Sequence, residues 1–261
     1  GREITNVYNK VNYSKETLAL EVKDLSGNGV NHISFKLKQG EILGVSGLVG
    51  SGRTEMVRLI FGADRKDSGQ IFINGKEVQI KNPRSAMNQG IGLIPEDRKH
   101  DGCFLEMPIS WNISVAILRR LSRYMIVNPK EELAIGKEYE KNLRIKTPSL
   151  AQEVGNLSGG NQQKVVLAKV LACNTDIIIF DEPTRGIDIG AREEIYDLMV
   201  DLVKDGKSII MISSDMEELL GMSDRIMVIS EGRLAGEINR SEFDQRTVLE
   251  MASTFEGGLH P

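Results

Sequence analysis

Hydrophobic residues fall along this chain in two rhythms. Short apolar or alternating runs, LALEV from Leu18, HISFKL from His32 and EILGVSG from Glu41, predict strands early in the chain. QIFING followed by KEVQI predicts a hairpin, because Asn74-Gly75 suits a two-residue turn that needs positive φ. Further strands are predicted at residues 91–94, 177–180 and 208–212. Between the last two, AREEIYDLMVDLVK spaces Ile195, Leu198, Met199, Leu202 and Val203 as one helical stripe closed by Gly206. Wholly apolar strands such as IIIF and SIIMI, separated by a helix, predict a parallel sheet covered on both faces. RIMVISEGRLAGEI predicts a second hairpin and RTVLEMAS a final helix.

Residues 101–157 behave differently. Their apolar positions keep helical spacing, as in ISWNISVAILRRL, and no strand is predicted there. They read as a mainly helical insertion between two strands of the sheet, with basic residues scattered as on an ordinary solvated face. The first residues, up to about 16, are polar and aperiodic, as in a tail or linker. The organisation expected is a linker over 1–17, one α/β domain over 18–253 and a short C-terminal tail over 254–261.

Composition narrows the function classes. The 33 Lys and Arg against 37 Asp and Glu leave a net charge of −4, which gives no support for a broad nucleic-acid footprint. No apolar run exceeds four residues, whereas a spanning helix needs about twenty, so membrane insertion is not expected. GREITNVYNK lacks the apolar stretch of a leader, so the chain is expected to stay in the cytoplasm. Cys103 and Cys173 are too few for a disulfide framework or a zinc cluster and read as small buried apolar residues. His32, His100 and His260 have no ligand spacing and read as surface residues. Glycine, 26 of 261 residues, is abundant enough to point to loops built from bare backbone.

The chemistry begins after EILGV. There Gly47-Leu48-Val49-Gly50-Ser51-Gly52-Arg53-Thr54 leads into the apolar helix EMVRLIFG, which opens on Glu55. Strand, glycine loop and helix in that order point backbone N–H groups, and the positive end of a helix, at a phosphate. Thr54 is positioned to ligate Mg²⁺. The general pattern has Lys where this chain has Arg53, a wide planar fork in place of a compact ammonium. The alternative reading is a glycine turn that only packs a helix on a strand. A second element favours phosphate binding: the strand at 177–180 runs into Asp181-Glu182-Pro183-Thr184. Acidic residues at the carboxyl end of a buried parallel strand face the ligand crevice. Asp181 there suits Mg²⁺, and Glu182 suits a general base. Upstream, Leu157-Ser158-Gly159-Gly160-Asn161-Gln162-Gln163 opens a helix as another anion cradle or as a plain cap. One phosphate does not need two cradles, so this one suits a nucleotide held by another domain.

The order glycine loop, LSGGNQQ, IIIFDEPTRGID resembles the nucleotide-binding domain of ABC transporters from about Leu18 to Ser253. GEILGVSGLVGSGRTE, IGLIPEDRK with Gly102, LSGGNQQKV and FDEPTRGIDIGAR look closest to the C-terminal half of the tandem ATPase subunits of monosaccharide importers of the ribose, galactose and xylose type. The resemblance implies a P-loop NTPase core, mostly parallel with helices on both faces, carrying an antiparallel β subdomain and a helical insertion. It implies ATP and Mg²⁺ as ligands, with residues 47–55 on the nucleotide, Thr54 and Asp181 on the metal, and Glu182 catalytic. Glu96, at the Q-loop position, and Ser214, in MISSDMEE at the switch position, are the other residues placed in the catalytic set by the resemblance. Leu157, Ser158, Gly159, Gly160, Asn161 and Gln163 would serve the partner's nucleotide, and Asp188 would bridge the two halves.

The partners implied are a similar N-terminal half, joined through a linker like GREITNVY, transmembrane permease subunits on the inner face of the membrane and, indirectly, a sugar-binding protein. The permease helix is expected near Glu96, the EDRKHDG loop and residues 103–109. Arg53, Glu96, Ser214 and Asn161 depart from the general ABC pattern, and no aromatic lies between Leu20 and Phe35 to stack an adenine. Together these imply a weakened site on this half beside an intact signature for the other. The alternatives are a regulatory clamp without catalysis of its own and a non-transport ABC ATPase.

Overall fold

The computed structural model describes residues 8, 10–124 and 126–253. The chain opens with β1 (Leu18–Gly27), β2 (Val30–Lys38), β3 (Ile42–Ser46), α1 (Arg53–Phe61), β4 (Ser68–Ile73) and β5 (Lys76–Val78). Next come α2 (Pro83–Asn88), β6 (Ile91–Ile94), α3 (Ile109–Ser114), α4 (Leu118–Leu121), β7 (Ser122–Arg123), β8 (Ile126–Val127) and α5 (Pro129–Asn142). It continues through α6 (Gly159–Leu171), β9 (Ile177–Asp181), α7 (Ile189–Lys204) and β10 (Ser208–Ile212). It closes with α8 (Met216–Met222), β11 (Arg225–Ser230), β12 (Arg233–Asn239) and α9 (Gln245–Ala252).

The main sheet has the order β12-β11-β3-β10-β9-β6, parallel except for the β11–β12 hairpin. Every residue of β3, β9 and β10 is buried, because helices and a second sheet cover both faces. Even in these uniformly apolar strands, alternate residues go to opposite sides. Ile178 and Phe180 join the core under α6 and α7, while Ile177 and Ile179 join the core shared with α1 and the antiparallel sheet. That second sheet, β2-β1-β4-β5, is antiparallel throughout. Its β4–β5 turn has Asn74 at φ 48° and Gly75 at φ 77°, the conformation expected of a tight hairpin. The P-loop type of α/β fold expected from the sequence is the fold observed.

The insertion departs from its predicted form. ISWNISVAILRRL is not one helix but α3, a 3₁₀ turn at Val115–Ile117 and α4. A short strand pair then follows where none was expected, with Ser122 opposite Val127 and Arg123 opposite Ile126. Ser122 turns extended and ends the helical run at Leu121, and Tyr124, at φ 52°, bends the backbone after β7. The apolar spacing is still used, since Ile109, Ile113, Ile117 and Leu121 are all buried. Cys103 is buried and Cys173 half-buried, both as free thiols. His32 and His100 are exposed, whereas His260, residues 1–7 of the linker and the tail over 254–261 lie outside the described residues. Among the described residues no helix is long and apolar enough to cross a membrane.

One ion-pair cluster ties the insertion to the sheet domain. Lys164 of α6 is buried, and its Nζ donates to Glu194 Oε2 of α7 at 2.6 Å and to the Arg144 carbonyl at 3.1 Å. Lys146 reaches the same carboxylate at 2.8 Å. Hydrogen bonds from Lys146 and Lys164 hold the Glu194 carboxyl down at about 2. A depressed acid contributes stability that is full above its unfolded value and lost as pH falls through its folded one. Glu194→Gln is therefore expected to cost about 1 kcal/mol at pH 7, solvent on its exposed side keeping it below the value of a fully buried pair. In urea unfolding, the gap to the parent should narrow as pH drops below about 4.5.

Candidate active site

Three loops meet where neighbouring parallel strands end. β3 runs into residues 47–52, β9 into Glu182 and β10 into Ser213 and Ser214, with β10 lying between the other two. They enclose a cleft of about 510 Å³ lined by residues 49–55 together with Glu96, Glu182, Arg185 and Ser214. Of the predicted phosphate loop, Gly47 and Leu48 lie outside this lining. Gly47 serves the turn instead: at φ 157°, its added Cβ would lie 2.4 Å from the Ile229 carbonyl oxygen and 2.4 Å from Ser51 Oγ. Gly52, at φ 100°, starts α1 in a left-handed conformation. The loop is braced from behind by the β11–β12 turn, where Gly232 N–H donates to the Ser51 carbonyl at 2.8 Å.

Asp181 ends β9 at 3% exposure. Burial pushes its carboxyl up to about 6, against the pull of the Thr54 hydroxyl beside it. Its Oδ1 is buried with no hydrogen-bond partner. An orphaned carboxylate oxygen beside a threonine hydroxyl fits a hard divalent cation, which takes oxygen ligands. Next to it, Glu182 has φ 51°, a conformation that costs a non-glycine residue energy and turns its side chain off the strand direction. Its Oε2 accepts from Ser214 N–H at 3.1 Å and Ser214 Oγ at 2.9 Å. Ser214 thus touches Glu182 directly.

Arg53 does not extend as a free cation into the cleft. Its Nη1 donates to the Ser213 carbonyl at 3.2 Å and lies 3.9 Å from Glu182 Oε1. Glu96 pairs with Arg185 across the cleft. The lining holds three carboxylates, Glu55, Glu96 and Glu182, against the guanidiniums of Arg53 and Arg185. A triphosphate entering this set requires added positive charge.

The LSGG segment lies elsewhere. None of residues 157–163 lines the cleft. Ser158 is exposed, its Oγ accepting from Asn161 Nδ2 at 2.9 Å. Leu157 and Gln163 are buried and face the interior. Gly159 and Gly160 pack tightly, the added Cβ of each falling 2.6 Å from Arg98 Nη2 and 2.8 Å from Ala191 Cβ respectively. Asp188 caps α7 by accepting from Ala191 N–H at 3.1 Å.

Sequence reasoning passed over Arg98 and Arg185. Arg98 is buried; it reaches Gln162 Oε1 at 3.3 Å and donates to the carbonyls of Arg185 at 2.7 Å and Gly186 at 3.0 Å. It joins the strand end at Glu96, the start of α6 and the segment after the acidic pair. A buried arginine in a polar stretch, PEDRKHDG, carries no local signal.

A largely parallel sheet with a glycine loop on β3 and an acidic pair on β9 defines the P-loop nucleotide-binding class. The sequence profile of the ABC transporter family matches residues 30–185, and the chain belongs to that family. It is 48% identical over 254 residues to the ribose import ATP-binding protein of Clostridium perfringens (strain SM101 / Type A), covering 97% of this chain and 51% of the relative. The arabinose import ATP-binding protein of Rhizobium johnstonii is 45% identical over 254 residues, with 97% and 51% covered. The chain therefore spans about half the length of the curated relatives it matches. In fold it is similar to an ATP-binding cassette of an ABC transporter in its ADP conformation (TM-score 0.74, 20% identity, 92% of this chain and 99% of that one). A dimeric post-hydrolysis cassette bound to ADP and Pi gives a TM-score of 0.72 at 21% identity, covering 86% of this chain and 100% of that one.

The loop's dependence on Gly47 is directly testable. Gly47→Ala is expected to lose more than about 1 kcal/mol of stability, because neither its φ nor its space suits a side chain. It should also weaken binding of a fluorescent ATP analogue, followed by titration, more than tenfold.

Proposed function

We propose that this chain is the ATP-binding half of a monosaccharide importer, pairing head-to-tail with a second such half beneath membrane permease subunits at the inner face of the membrane. The observation that carries this is that the glycine loop and Glu182 line one cleft, with Asp181 buried next to the Thr54 hydroxyl and its Oδ1 unpartnered. The sugar-import names of relatives at 48% and 45% identity support the substrate class.

Backbone N–H groups of residues 49–54 and the start of α1 would hold the terminal phosphates of ATP. Thr54 and Asp181 would hold Mg²⁺, which supplies the positive charge that the acidic lining lacks. Glu182 would take the proton from the attacking water, a role contributing roughly 10²–10⁴ in rate. Ser214 orients that carboxylate by two donated hydrogen bonds. It has no cationic state to offer a γ-phosphate, and Arg53 is already engaged with Ser213. The site of this half is read as binding nucleotide but turning it over slowly. Ser158, Gly159 and Gly160 would face the nucleotide of the partner half.

A second groove, about 470 Å³, runs between the sheet domain and the insertion and includes Arg58, Phe61, Met87, Leu93 and Phe104. Phe104 is 59% exposed and Met107 42%, while Cys103 and Ile109 are buried. The buried Asn112 shapes this loop, accepting from the Phe104 N–H at 2.7 Å and donating to its carbonyl at 2.9 Å. Phe104, on the rim, is read as the contact for a cytoplasmic helix of the permease, and Cys103 and Ile109 as core.

Two outcomes follow. This chain alone should hydrolyse ATP very slowly, and the N-terminal half should raise phosphate release well above the sum of the parts; vigorous turnover by the chain alone contradicts the asymmetric reading. Phe104→Asp in the assembled transporter should leave ATP hydrolysis largely intact while lowering sugar uptake into vesicles at least several-fold; unchanged uptake removes Phe104 from the coupling surface.

A further inference from the structure

Behind Glu182, away from the cleft, lies a buried carboxyl with no role in the reading above. Glu218 of α8 is 1% exposed, and its Oε2 accepts a hydrogen bond from Ser213 Oγ at 2.5 Å. Ser213 directly precedes Ser214, which donates to Glu182 from its backbone and from its hydroxyl. The two-serine segment is thus held at three points: by Glu218 at the Ser213 hydroxyl, by Arg53 at the Ser213 carbonyl, and by Glu182 at Ser214.

The other oxygen of Glu218 is buried with no partner at hydrogen-bond distance, and Thr184 and Tyr196 face the same carboxyl. Tyr8, from the segment before β1, closes this pocket. Its ring lies 5.1 Å from that of Tyr196 between centroids, and a Cβ at Gly221 would fall 2.4 Å from it. Burying a carboxyl costs a fold free energy, and the shortest hydrogen bond that Glu218 accepts comes from the segment that orients Glu182.

We propose that Glu218 is a positioning residue for Glu182, acting through Ser213 and Ser214, with Tyr8 sealing it from water. The inference rests on the reading of Glu182 as the proton acceptor. Without its anchor the Ser213 hydroxyl no longer fixes the segment, and both donors to Glu182 move with it. Displacement of a reacting group by about 1 Å costs on the order of a hundredfold in rate.

The test uses the complete natural protein in the assembly that supports its turnover, with single-turnover ATP hydrolysis as readout. The part of the rate that Glu182→Gln removes is the reference. Ser213→Ala and Glu218→Leu are expected to lower that part by roughly 10–100-fold while the nucleotide Kd stays within about twofold. Glu218→Gln keeps an oxygen acceptor for Ser213 and should restore most of the rate. An undiminished rate in Ser213→Ala, which removes only one hydroxyl, overturns the proposal. So does Glu218→Gln falling as far as Glu218→Leu. If Glu182→Gln itself removes nothing, the catalytic reading of Glu182 fails instead.

Discussion

A carboxylate ends one of the most deeply buried strands of the sheet, and its placement constrains everything around the cleft. Asp181 follows four apolar residues of β9, between β10 and β6, where water cannot solvate its charge. Such a group must meet a cation or give up its ionisation, and its unpartnered Oδ1 leaves room for the cation. The hydroxyl beside Asp181, that of Thr54, comes from the start of α1 after β3. β10 separates β9 from β3, so the Ser213–Ser214 segment is inserted between the acidic pair and the glycine loop. A different strand order would bring the same motifs to opposite edges of the sheet.

Three of the four positions that depart from the family's general pattern, Arg53, Glu96 and Ser214, line the same cleft, whereas Asn161 lies on the LSGG segment. Arg53, standing for a lysine, sends one guanidinium nitrogen to the Ser213 carbonyl and toward Glu182. A lysine is a compact point charge without that planar fork. Glu96, standing for a glutamine, pairs with Arg185, which lines the same cleft. Arg185 is in turn held through its carbonyl by the buried Arg98. Arg53, Glu96 and Ser214 thus each have a partner in the same lining, and the cleft is an altered but internally consistent set of charges.

How much of this was legible in the sequence depended on range. Strands declared themselves through composition, as in IIIF and SIIMI, and the Asn74-Gly75 turn through its positive φ. The glycine loop and acidic pair were legible because short motifs at strand ends carry their own geometry. The broken helix at 109–121 was not, because the apolar spacing that packs Ile113, Ile117 and Leu121 is the same for a straight helix and a kinked one. Arg98, Glu218 and Ser213 were missed for a different reason. Their partners lie on other elements, and a charged residue that will be buried looks the same in sequence as one that will be solvated.

The LSGG segment shows how packing and ligand binding can be separated within one motif. Gly160 is required by the chain itself, since Ala191 Cβ occupies the space that a side chain would need, and Gly159 packs against the Arg98 guanidinium and the Gly186 carbonyl. Leu157 and Gln163 are buried and explained by the core. Ser158 is not: it is exposed, and although it stands at the N-cap of α6 its side chain makes no capping hydrogen bond. An N-cap serine ordinarily satisfies an amide of the first turn, so here that donor is left without its customary acceptor. The hydroxyl goes instead to Asn161, which follows the two glycines. A helix start whose cap is turned aside, on the surface and away from the chain's own cleft, is the part of the motif that intrachain packing leaves unexplained. It is also the part that an anion carried by a second domain would complete.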